Sequence, residues 1–187
     1  MAVPMMPRYR TTDPLTGIGD RATLNAQLSM LLETAQRDDL SVSLMVVDLD
    51  FFKSINDAFG HTRGDQVLRE FAQRAGAAIR TSDQIFRYGG DEFVILLPGA
   101  TRDQAEHVAQ RLLTDVCGAP FAGEPPISLT VSVGIARCPD DATSADMLFA
   151  IADRRSFQAK RHGRGRSFSA DIDTAQIIEP PSRLIER

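Results

Sequence analysis

Carboxylates at the end of a buried strand are the first feature of this sequence that could support catalysis. Residues 42–47 are apolar and rich in β-branched side chains, which predicts a central strand ending at Asp48. A carboxylate there costs free energy unless it is paired or bound to a cation. Hard divalent cations such as Mg²⁺ take one or two carboxylates together with phosphate oxygens of a ligand. Asp48 is therefore a candidate metal ligand; the alternative is that Asp48 or Asp50 caps the following turn.

A second polar segment places two glycines before two carboxylates, at Gly89, Gly90, Asp91 and Glu92. Strand-like sequences on both sides predict a hairpin whose turn lies at these glycines, since glycine tolerates positive φ. If the hairpin lies beside the first strand, Asp91 can join Asp48 around one metal ion. Gly-Gly-Asp is also a common turn sequence, so a turn without a ligand is the alternative.

The third polar segment is cationic and follows the last predicted helix, at residues 160–166. Cations at a helix C-terminus are favoured by the helix dipole, so a solvated face is the alternative to a binding site. The functional interpretation is that Lys160 and Arg164 clamp phosphate oxygens through charge-assisted hydrogen bonds.

Hydrophobic periodicity predicts alternating helices and strands around these segments. In chain order we expect a helix from Arg21 capped by Asp20, a strand at 42–47, a helix at 63–80, strands at 85–88 and 92–97, a helix at 102–116, a strand at 129–136, a helix at 144–161 and an edge strand at 166–169. This order predicts an α/β sandwich with a central, largely antiparallel sheet flanked by helices. We expect one domain at residues 13–169, an irregular lead-in at residues 1–12 and a loose tail at residues 170–187.

Composition argues against several classes of protein. The net charge of -4 and the pI near 5.4 disfavour a general nucleic-acid binder, although a local cationic pocket can still bind a small anion. No segment has the roughly 20 apolar residues of a membrane-spanning helix, and residues 1–10 lack the apolar core of a signal peptide. Cys117 and Cys138 lack metal-site spacing, so we expect reduced thiols in a cytoplasmic protein, with a disulfide as the alternative.

Taken together, the polar segments resemble the GGDEF family of diguanylate cyclases over residues 13–168. The name-giving motif stands at residues 89–93, and residues 48–65 match D-x-D-x-F-K-x-x-N-D-x-x-G-H-x-x-G-D at every named position. Segments similar to the family's D-x-L-T-G-L-x-N-R, T-x-S-x-G-x-A and A-K-x-x-G-R-N motifs stand at residues 13–21, 130–136 and 159–165. Five motifs in the family's order and spacing make the resemblance specific.

The resemblance implies a palm-like nucleotidyl cyclase fold and the condensation of two GTP into cyclic di-GMP and two pyrophosphates. The implied cofactor is Mg²⁺, with Mn²⁺ as a substitute, held by Asp48, the backbone carbonyl of Leu49 and Asp91. Asp91 would also accept the proton of the 3′-hydroxyl, and Glu92 would support metal or nucleotide. A metal there lowers the pKa of the hydroxyl and neutralises charge at the α-phosphate.

The family pattern also implies the contacts to GTP. The guanine edge would bind Asn56 and Asp65, and a carboxylate at Asp65 suits the N1–H and 2-amino donors of guanine, so we expect GTP to be preferred over ATP. The full set of implied substrate contacts is Lys53, Asn56, His61, Asp65, Gly89, Gly90, Lys160 and Arg164. Among these, the lysines and Arg164 would meet phosphates, and the glycines would let the backbone approach the nucleotide.

A further motif resembles the family's inhibitory site for the product. Arg80 and Asp83 match its R-x-x-D pattern, and Arg111 is an additional contact by position. Arginine can bind guanine O6 and N7 bidentately. The alternative is an exposed Arg–Asp pair that contributes little.

Departures from the family pattern and the expected partners complete the hypothesis. Arg155 and Ser156 replace small and apolar residues on the packing side of the last helix, so we expect a looser helix or one that faces a partner; Gly165 replaces an Asn. Two copies must pair for the reaction, which implies a transient homodimer, and a sensor or regulatory protein could bring them together. The alternatives in function are a non-enzymatic receptor for GTP or cyclic di-GMP, and another palm-like nucleotidyl cyclase or polymerase.

Overall fold

The computed structural model of the protein describes residues 11–171. Residues 1–10 of the expected lead-in and residues 172–187 of the expected tail lie outside the described residues. The helices and strands are α1 (Arg21–Asp38), β1 (Val42–Leu49), α2 (Phe52–Phe59), α3 (His61–Ala78), β2 (Gln84–Gly89), β3 (Glu92–Pro98), α4 (Arg102–Arg111) continued by a π-helical turn (Leu112–Val116), β4 (Val131–Cys138), α5 (Ala145–Arg161) and β5 (Arg166–Phe168).

The five strands form one sheet in the order β2-β3-β1-β4-β5. Strand β1 lies at the centre and pairs antiparallel with both β3 and β4, while only the short edge strand β5 runs parallel to its neighbour β4. Every residue of β1 is buried. The prediction of an α/β sandwich around a largely antiparallel sheet is confirmed.

Helices cover both faces of the sheet, because alternate side chains of each strand point to opposite sides. Met45, Val47 and Leu49 of β1 pack in a core with α2, α3 and α4. Leu44 and Val46 pack in a second core with α1 and α5. Burying each such side chain stabilises the fold by about 1.5–3 kcal/mol relative to exposure. The alternation places Asp48 on the same face as Val46, toward α1 and α5.

The predicted elements differ from the observed ones chiefly after β1. A polar turn was expected there, but the chain forms the eight-residue helix α2, and α3 begins at His61, two residues before the predicted start. Only Phe52 and Ile55 of α2 are buried, which is too few for a periodic pattern. Gly60, at φ 80°, separates the two helices. The other differences are a π-helical end to the helix predicted at 102–116 and a start of β4 at residue 131 rather than 129.

Arg155 and Ser156, which depart from the family pattern in α5, are both buried, as their place on the packing side of the helix predicts. Arg155 is 4% exposed; its guanidinium pairs with both carboxylate oxygens of Asp141 at 2.9 Å and donates to the Ile135 carbonyl at 2.7 Å. The Ser156 hydroxyl donates to the Ser132 carbonyl at 3.2 Å. The Arg155 terminal nitrogens and the Ser156 hydroxyl are therefore paired inside the protein, whereas Nε of Arg155 makes no hydrogen bond among the described residues and lies 3.6 Å from Asp171.

Close packing of α5 on β4 depends on a glycine in the strand. A Cβ atom at Gly134 would lie 1.9 Å from the Ala152 carbonyl oxygen and 2.3 Å from the Ser156 nitrogen. Only glycine lets the helix backbone approach the strand this closely. This contact sets the height of α5 above the sheet, and so the position of Lys160 at its end.

Two expectations from composition can be compared with the described residues. Cys117 and Cys138 are both free and buried, so the disulfide alternative is wrong for this structure. Among the helices within residues 11–171, none is long and apolar enough to cross a membrane.

Candidate active site

Three carboxylates meet where the central strand ends. Asp48 of β1 lies directly opposite Glu92 in the β1–β3 register, and Asp91 precedes Glu92 in the hairpin turn. The backbone N–H of Leu49 donates to the Asp91 carbonyl at 3.2 Å, which ties the turn to β1. Asp48 is 6% exposed, and its Oδ2 lies 2.5 Å from Nζ of Lys160 at the end of α5. Asp48, Asp91 and Lys160 are thus brought to one edge of the sheet.

The electrostatic surroundings make this edge short of positive charge. Burial raises the pKa of Asp48 to about 6, opposed by Lys160 and reinforced by the negative charges of Asp91 and Glu92. Burial also raises the pKa of Glu92, with a further contribution from Asp153. One ammonium group therefore faces several carboxylates in a partly desolvated site, which is the environment in which a divalent cation is favoured.

The donors at this edge fit a hard cation. Carboxylate oxygens of Asp48 and Asp91 and the backbone at Leu49 are oxygen donors of the kind Mg²⁺ prefers. Within residues 11–171, no group of three or more His, Cys, Asp or Glu side chains is placed so that it could hold a metal ion by itself. Mg²⁺ usually takes one or two carboxylates, and water and substrate phosphates fill its remaining coordination positions. A site with only part of the ligands supplied by the protein therefore suits Mg²⁺.

The hairpin turn is held by a pair that the sequence did not single out. The Arg87 guanidinium donates to the Gly90 carbonyl at 3.0 and 2.8 Å and to both carboxylate oxygens of Asp13 at 3.2 Å. Asp13 in turn accepts from the backbone N–H and hydroxyl of Thr16. Gly90 has φ 54°, as the turn requires. The opening segment of the domain therefore orients the carbonyl beside Asp91.

Asp50, which was expected at most to cap a turn, is a buried anchor. Helix α2 begins after Phe51 without a side-chain cap, so Asp50 does not cap it. The Asp50 carboxylate instead accepts from the hydroxyls of Thr130 at 2.6 Å and Ser132 at 2.7 Å and from the Gly165 N–H at 3.1 Å. Its partners are 80, 82 and 115 residues away in the chain, beyond any local pattern.

The residues expected to bind guanine lie on α2 and α3. Oδ1 of Asn56 is buried and has no hydrogen-bond partner in the described part of the chain. A Cβ atom at Gly64 would lie 1.9 Å from that oxygen, so the amide rests against the first turn of α3, beside the half-buried Asp65. His61 is exposed at the start of α3. The unpaired Asn56 oxygen and the neighbouring Asp65 carboxylate are both hydrogen-bond acceptors. Together they suit a ligand that carries two N–H groups.

The cations expected to bind phosphate are brought together only in part. The Arg164 guanidinium lies 4.4 Å from the centre of the Phe51 ring, and its Nε lies 3.9 Å from Asp50. Lys160 lies on Asp48, as described above. Lys53 is exposed in the first turn of α2 and makes no ion pair within residues 11–171. Two of the three cations thus flank the loop between β1 and α2, and the third projects into solvent beside it.

The residues of the R-x-x-D motif form a separate surface patch. The Arg80 backbone N–H donates to the Asp83 carboxylate at 3.0 Å, and the Ser82 hydroxyl donates to it at 3.3 Å. Burial raises the pKa of Asp83, opposed by the positive charges of Arg80 and Arg111. The Arg80 and Arg111 side chains are exposed and form no ion pair among the residues described. The Arg–Asp side-chain pair that was the alternative interpretation is therefore not formed among these residues, and both guanidinium groups face solvent.

Comparison with known proteins agrees with this arrangement. The family "Diguanylate cyclase, GGDEF domain" matches residues 10–166. The chain is 39% identical over 156 residues to the response regulator PleD of Caulobacter vibrioides, covering 82% of this chain and 34% of PleD. It is 40% identical over 157 residues to the diguanylate cyclase DgcP of Pseudomonas aeruginosa, covering 83% of this chain and 23% of DgcP. The chain thus spans about a third or less of the length of these relatives.

The fold is also found in a solved structure with a nucleotide. The crystal structure of the coiled coil and GGDEF domain of DgcB from Caulobacter crescentus in complex with c-di-GMP has a TM-score of 0.79 and 28% sequence identity. The match covers 86% of this chain and 85% of that chain. The family match over most of the sequence, with the palm-like fold and the motif residues placed as described, leads to one conclusion. The chain belongs to the GGDEF family of diguanylate cyclase domains.

Proposed function

We propose that this chain is a diguanylate cyclase, which condenses two GTP into cyclic di-GMP and two pyrophosphates. The observation that carries the proposal is the convergence of Asp48, Asp91 and Glu92 on one edge, where a buried carboxylate has its pKa raised to about 6. A perturbed carboxylate cluster at a strand end is typical of a catalytic site. The relatives named above as diguanylate cyclases support the same activity.

The proposed mechanism uses residues from four parts of the fold. Asn56 and Asp65 bind the guanine edge, while Lys53, Lys160 and Arg164 neutralise the triphosphate. The Asp91 carboxylate accepts the proton of the 3′-hydroxyl as O3′ attacks the α-phosphorus of the second GTP, and the bond from that phosphorus to the pyrophosphate oxygen breaks. Bound Mg²⁺ supplies charge neutralisation at the α-phosphate and lowers the pKa of the 3′-hydroxyl. The residues that would hold it are Asp48, Leu49 through its carbonyl, and Asp91, with Glu92 beside them.

The reaction requires two nucleotides that face each other. Each chain offers one carboxylate edge, the edge of the sheet at which Asp48, Asp91 and Glu92 lie. Two copies related by a two-fold axis are therefore needed to form both phosphodiester bonds. We therefore propose a transient homodimer. Since the chain spans only part of its relatives, among them a response regulator, a sensor or regulatory segment is proposed to control the pairing.

Incubation of the full chain with GTP and Mg²⁺ tests the activity directly. We expect cyclic di-GMP and pyrophosphate in a 1:2 ratio by chromatography and a coupled phosphate assay, and no product in excess chelator. We also expect a GTP preference over ATP of about 10⁴, because adenine has neither the N1–H nor the 2-amino group that Asn56 and Asp65 would bind. The Asp91→Ala variant is the control against contaminating activity. Tight binding of GTP or cyclic di-GMP without turnover would instead show a receptor.

Product inhibition at the patch of Arg80, Asp83 and Arg111 is the second part of the proposal. We expect Arg80→Ala to raise the cyclic di-GMP concentration needed for half-inhibition at least about fivefold, since a bidentate guanine contact contributes about 1–3 kcal/mol. Turnover in the absence of added product should stay within about twofold, because Arg80 lies outside the carboxylate edge. Arg37→Ala, at an exposed arginine paired with Asp38, is the matched control. An unchanged inhibition curve for Arg80→Ala would contradict the assignment.

A further inference from the structure

Asp50 is a buried charge that the proposed reaction does not use. The residue is 2% exposed, and both oxygens are occupied: Oδ1 accepts from the Ser132 hydroxyl, and Oδ2 accepts from the Thr130 hydroxyl and the Gly165 N–H. The backbone N–H of Asp50 also donates to the Thr130 carbonyl at 2.9 Å. Three neutral donors and one nearby cation, Arg164, therefore surround this carboxylate.

Stability alone does not account for a carboxylate in this place. Removing a carboxylate from water costs several kcal/mol, and replacing a whole buried ion pair with apolar side chains is often neutral or stabilising. Leu49, which precedes Asp50, is apolar and buried, whereas the groups that face the Asp50 carboxylate are the hydroxyls of Thr130 and Ser132 and the Gly165 N–H. The contacts of Asp50 indicate what it holds instead, because two of them reach the loop after α5.

That loop has an unusual backbone conformation. Gly163, Arg164 and Gly165 have φ values of 103°, 61° and 55°, and Arg164 is the non-glycine member of the three. A residue with a side chain in the left-handed region costs about 1–2 kcal/mol, so it persists only where neighbours hold it. The Arg164 N–H donates to the Ala159 carbonyl at 3.0 Å, and the next N–H, of Gly165, donates to Asp50. Asp50 thus fixes the residue that follows Arg164.

The same carboxylate lies next to the loop that faces the triphosphate site. Phe51 follows Asp50, has φ 59° and is 63% exposed, and the Arg164 guanidinium lies over its ring at 4.4 Å. The Arg164 side chain is therefore held at two points, by the ring of Phe51 and by the charge of Asp50 at 3.9 Å. Because Asp50 and Phe51 are adjacent in the chain, a shift of Asp50 would also displace the Phe51 ring under Arg164.

We propose that Asp50 is a positioning residue for Arg164, one of the cations proposed to bind the triphosphate. Its buried carboxylate holds the Gly163–Gly165 loop in the left-handed conformation and orients Arg164 over the loop between β1 and α2, where the β- and γ-phosphates would bind. The inference rests on the proposed function, since it assigns Asp50 to the phosphate end of the GTP site. Asp50 acts through Arg164 and does not itself contact the nucleotide.

Nucleotide binding to the full chain separates this role from a general effect on folding. The probes are 3′-deoxy-GTP, which lacks the attacking hydroxyl, and GMP, which lacks the β- and γ-phosphates, each titrated with Mg²⁺ in a calorimeter. We expect Asp50→Asn to weaken 3′-deoxy-GTP at least about tenfold and GMP less than about twofold, because one amide oxygen cannot replace both carboxylate oxygens and carries no charge for Arg164. Asp50→Ser, which is smaller, should give the same pattern.

Two further variants decide whether the effect runs through Arg164. The pair Asp50→Asn and Arg164→Ala should bind 3′-deoxy-GTP no more weakly than Arg164→Ala alone, as expected for residues that act as one unit. Ser132→Ala removes one donor to Asp50 but leaves Gly165 and Arg164 in place, so its affinity for 3′-deoxy-GTP should stay within about threefold of wild type. Additive losses in the double variant, or equal weakening of both nucleotides, would overturn the proposal.

Amide exchange at Gly165 tests the anchor without any nucleotide. We expect the Gly165 N–H to exchange slowly in the wild-type protein and at least about tenfold faster in Asp50→Asn, with the amides of β1 unchanged. Equal protection in both proteins would overturn the proposed anchor. If wild-type protein fails to bind 3′-deoxy-GTP at all, the proposed function is wrong. The proposed role of Asp50 in phosphate binding would then be wrong as well. That result is distinct, because it appears in the wild type rather than in the variant.

Discussion

The buried Asp48 and the half-buried Asp141 have opposite pKa shifts because their partners differ. Burial raises the pKa of Asp48, and one lysine does not compensate for it. Burial alone would also raise the pKa of Asp141, but hydrogen bonds from Arg155 and from the Arg137 N–H, with the charge of Arg102, lower it below 3.8. A fully paired carboxylate stabilises the fold, whereas an underpaired one is available to bind a cation.

The Asp141–Arg155 pair leads to a prediction about stability and pH. Asp141→Asn removes the closer carboxylate partner of Arg155, whose side chain is 5% exposed, and leaves only Asp171 at 3.6 Å, so we expect a loss of about 3 kcal/mol in the free energy of unfolding at pH 7. The folded pKa of Asp141 is lowered, so its contribution is present above the unfolded value of 3.8 and is lost as the pH falls through the folded pKa. The gap between wild type and variant should therefore narrow below about pH 4.

Urea unfolding at pH 7 and in steps down to about pH 3.5 measures this difference. The matched control is Asp140→Asn, since the Asp140 side chain is 43% exposed and pairs with Arg137 at the surface. A surface pair contributes about 0–1 kcal/mol, so this control should remain close to wild type. A gap that stays constant down to the lowest pH would show that Asp141 acts through packing and not through its charge.

At the scale of the elements, the sequence predicted the helices and strands that have a periodic hydrophobic pattern. It did not predict the features that depend on contacts between distant segments. Strand β1, the hairpin and helix α5 have strong patterns, and their ends carry the motif residues Asp48, Asp91 and Lys160, which lie at one edge of the sheet. Helix α2 was missed because only two of its residues are buried. The role of Asp50 could not be predicted, since its partners come from segments far along the chain. The opening motif, similarly, gave no sign that Arg87 reaches back to Asp13.

The contact between α2 and α3 supports a prediction about substrate affinity. In Gly64→Ala the new methyl group would lie 1.9 Å from Oδ1 of Asn56, so the amide must rotate away from α3. The Asn56 amide is the end of a flexible side chain and can rotate, so we expect the fold to be retained while the proposed guanine contact is lost. We expect the KM for GTP to rise about tenfold, which corresponds to about 1.4 kcal/mol, with kcat within about threefold.

Steady-state kinetics with GTP, together with thermal melting, checks this prediction. Gly76→Ala on the same helix is the matched control, because no atom lies within 4 Å of a Cβ built at Gly76. Replacing a helical glycine with alanine at an open position should stabilise the protein by about 0.5–1 kcal/mol and leave KM unchanged. Unchanged KM in Gly64→Ala would remove Asn56 from the proposed guanine site.

At the scale of the whole molecule, the sheet separates two functional regions. The carboxylate edge lies at the turn between β2 and β3, whereas the patch of Arg80, Asp83 and Arg111 lies at the start of β2. Six residues of β2 separate them, a distance of about 20 Å along an extended strand. Product bound at the patch would therefore leave the GTP contacts free, and the proposed inhibition must act through the arrangement of whole domains.

The same geometry leads to a prediction about how rate depends on protein concentration. In the proposed reaction, each new bond joins the 3′-hydroxyl of one GTP to the α-phosphorus of the other. Since one chain supplies one carboxylate edge, the proposal requires two chains to meet before product forms. If pairing is weak, the number of active pairs grows as the square of the concentration. We expect the initial rate at saturating GTP to give a double-logarithmic slope near 2 at low protein, falling toward 1 as pairs saturate.

Mixing wild-type and inactive chains provides an independent check on pairing. Excess Asp91→Ala protein should capture wild-type chains in mixed pairs that cannot complete both bonds, and so suppress cyclic di-GMP formation below that of wild type alone. Bovine serum albumin at equal mass controls for crowding. A slope of 1 at every concentration, with no suppression by the inactive chain and a monomer mass in light scattering, would mean that one chain completes the reaction. The two-fold arrangement would then have to be abandoned, because the second nucleotide would need a site on the same domain.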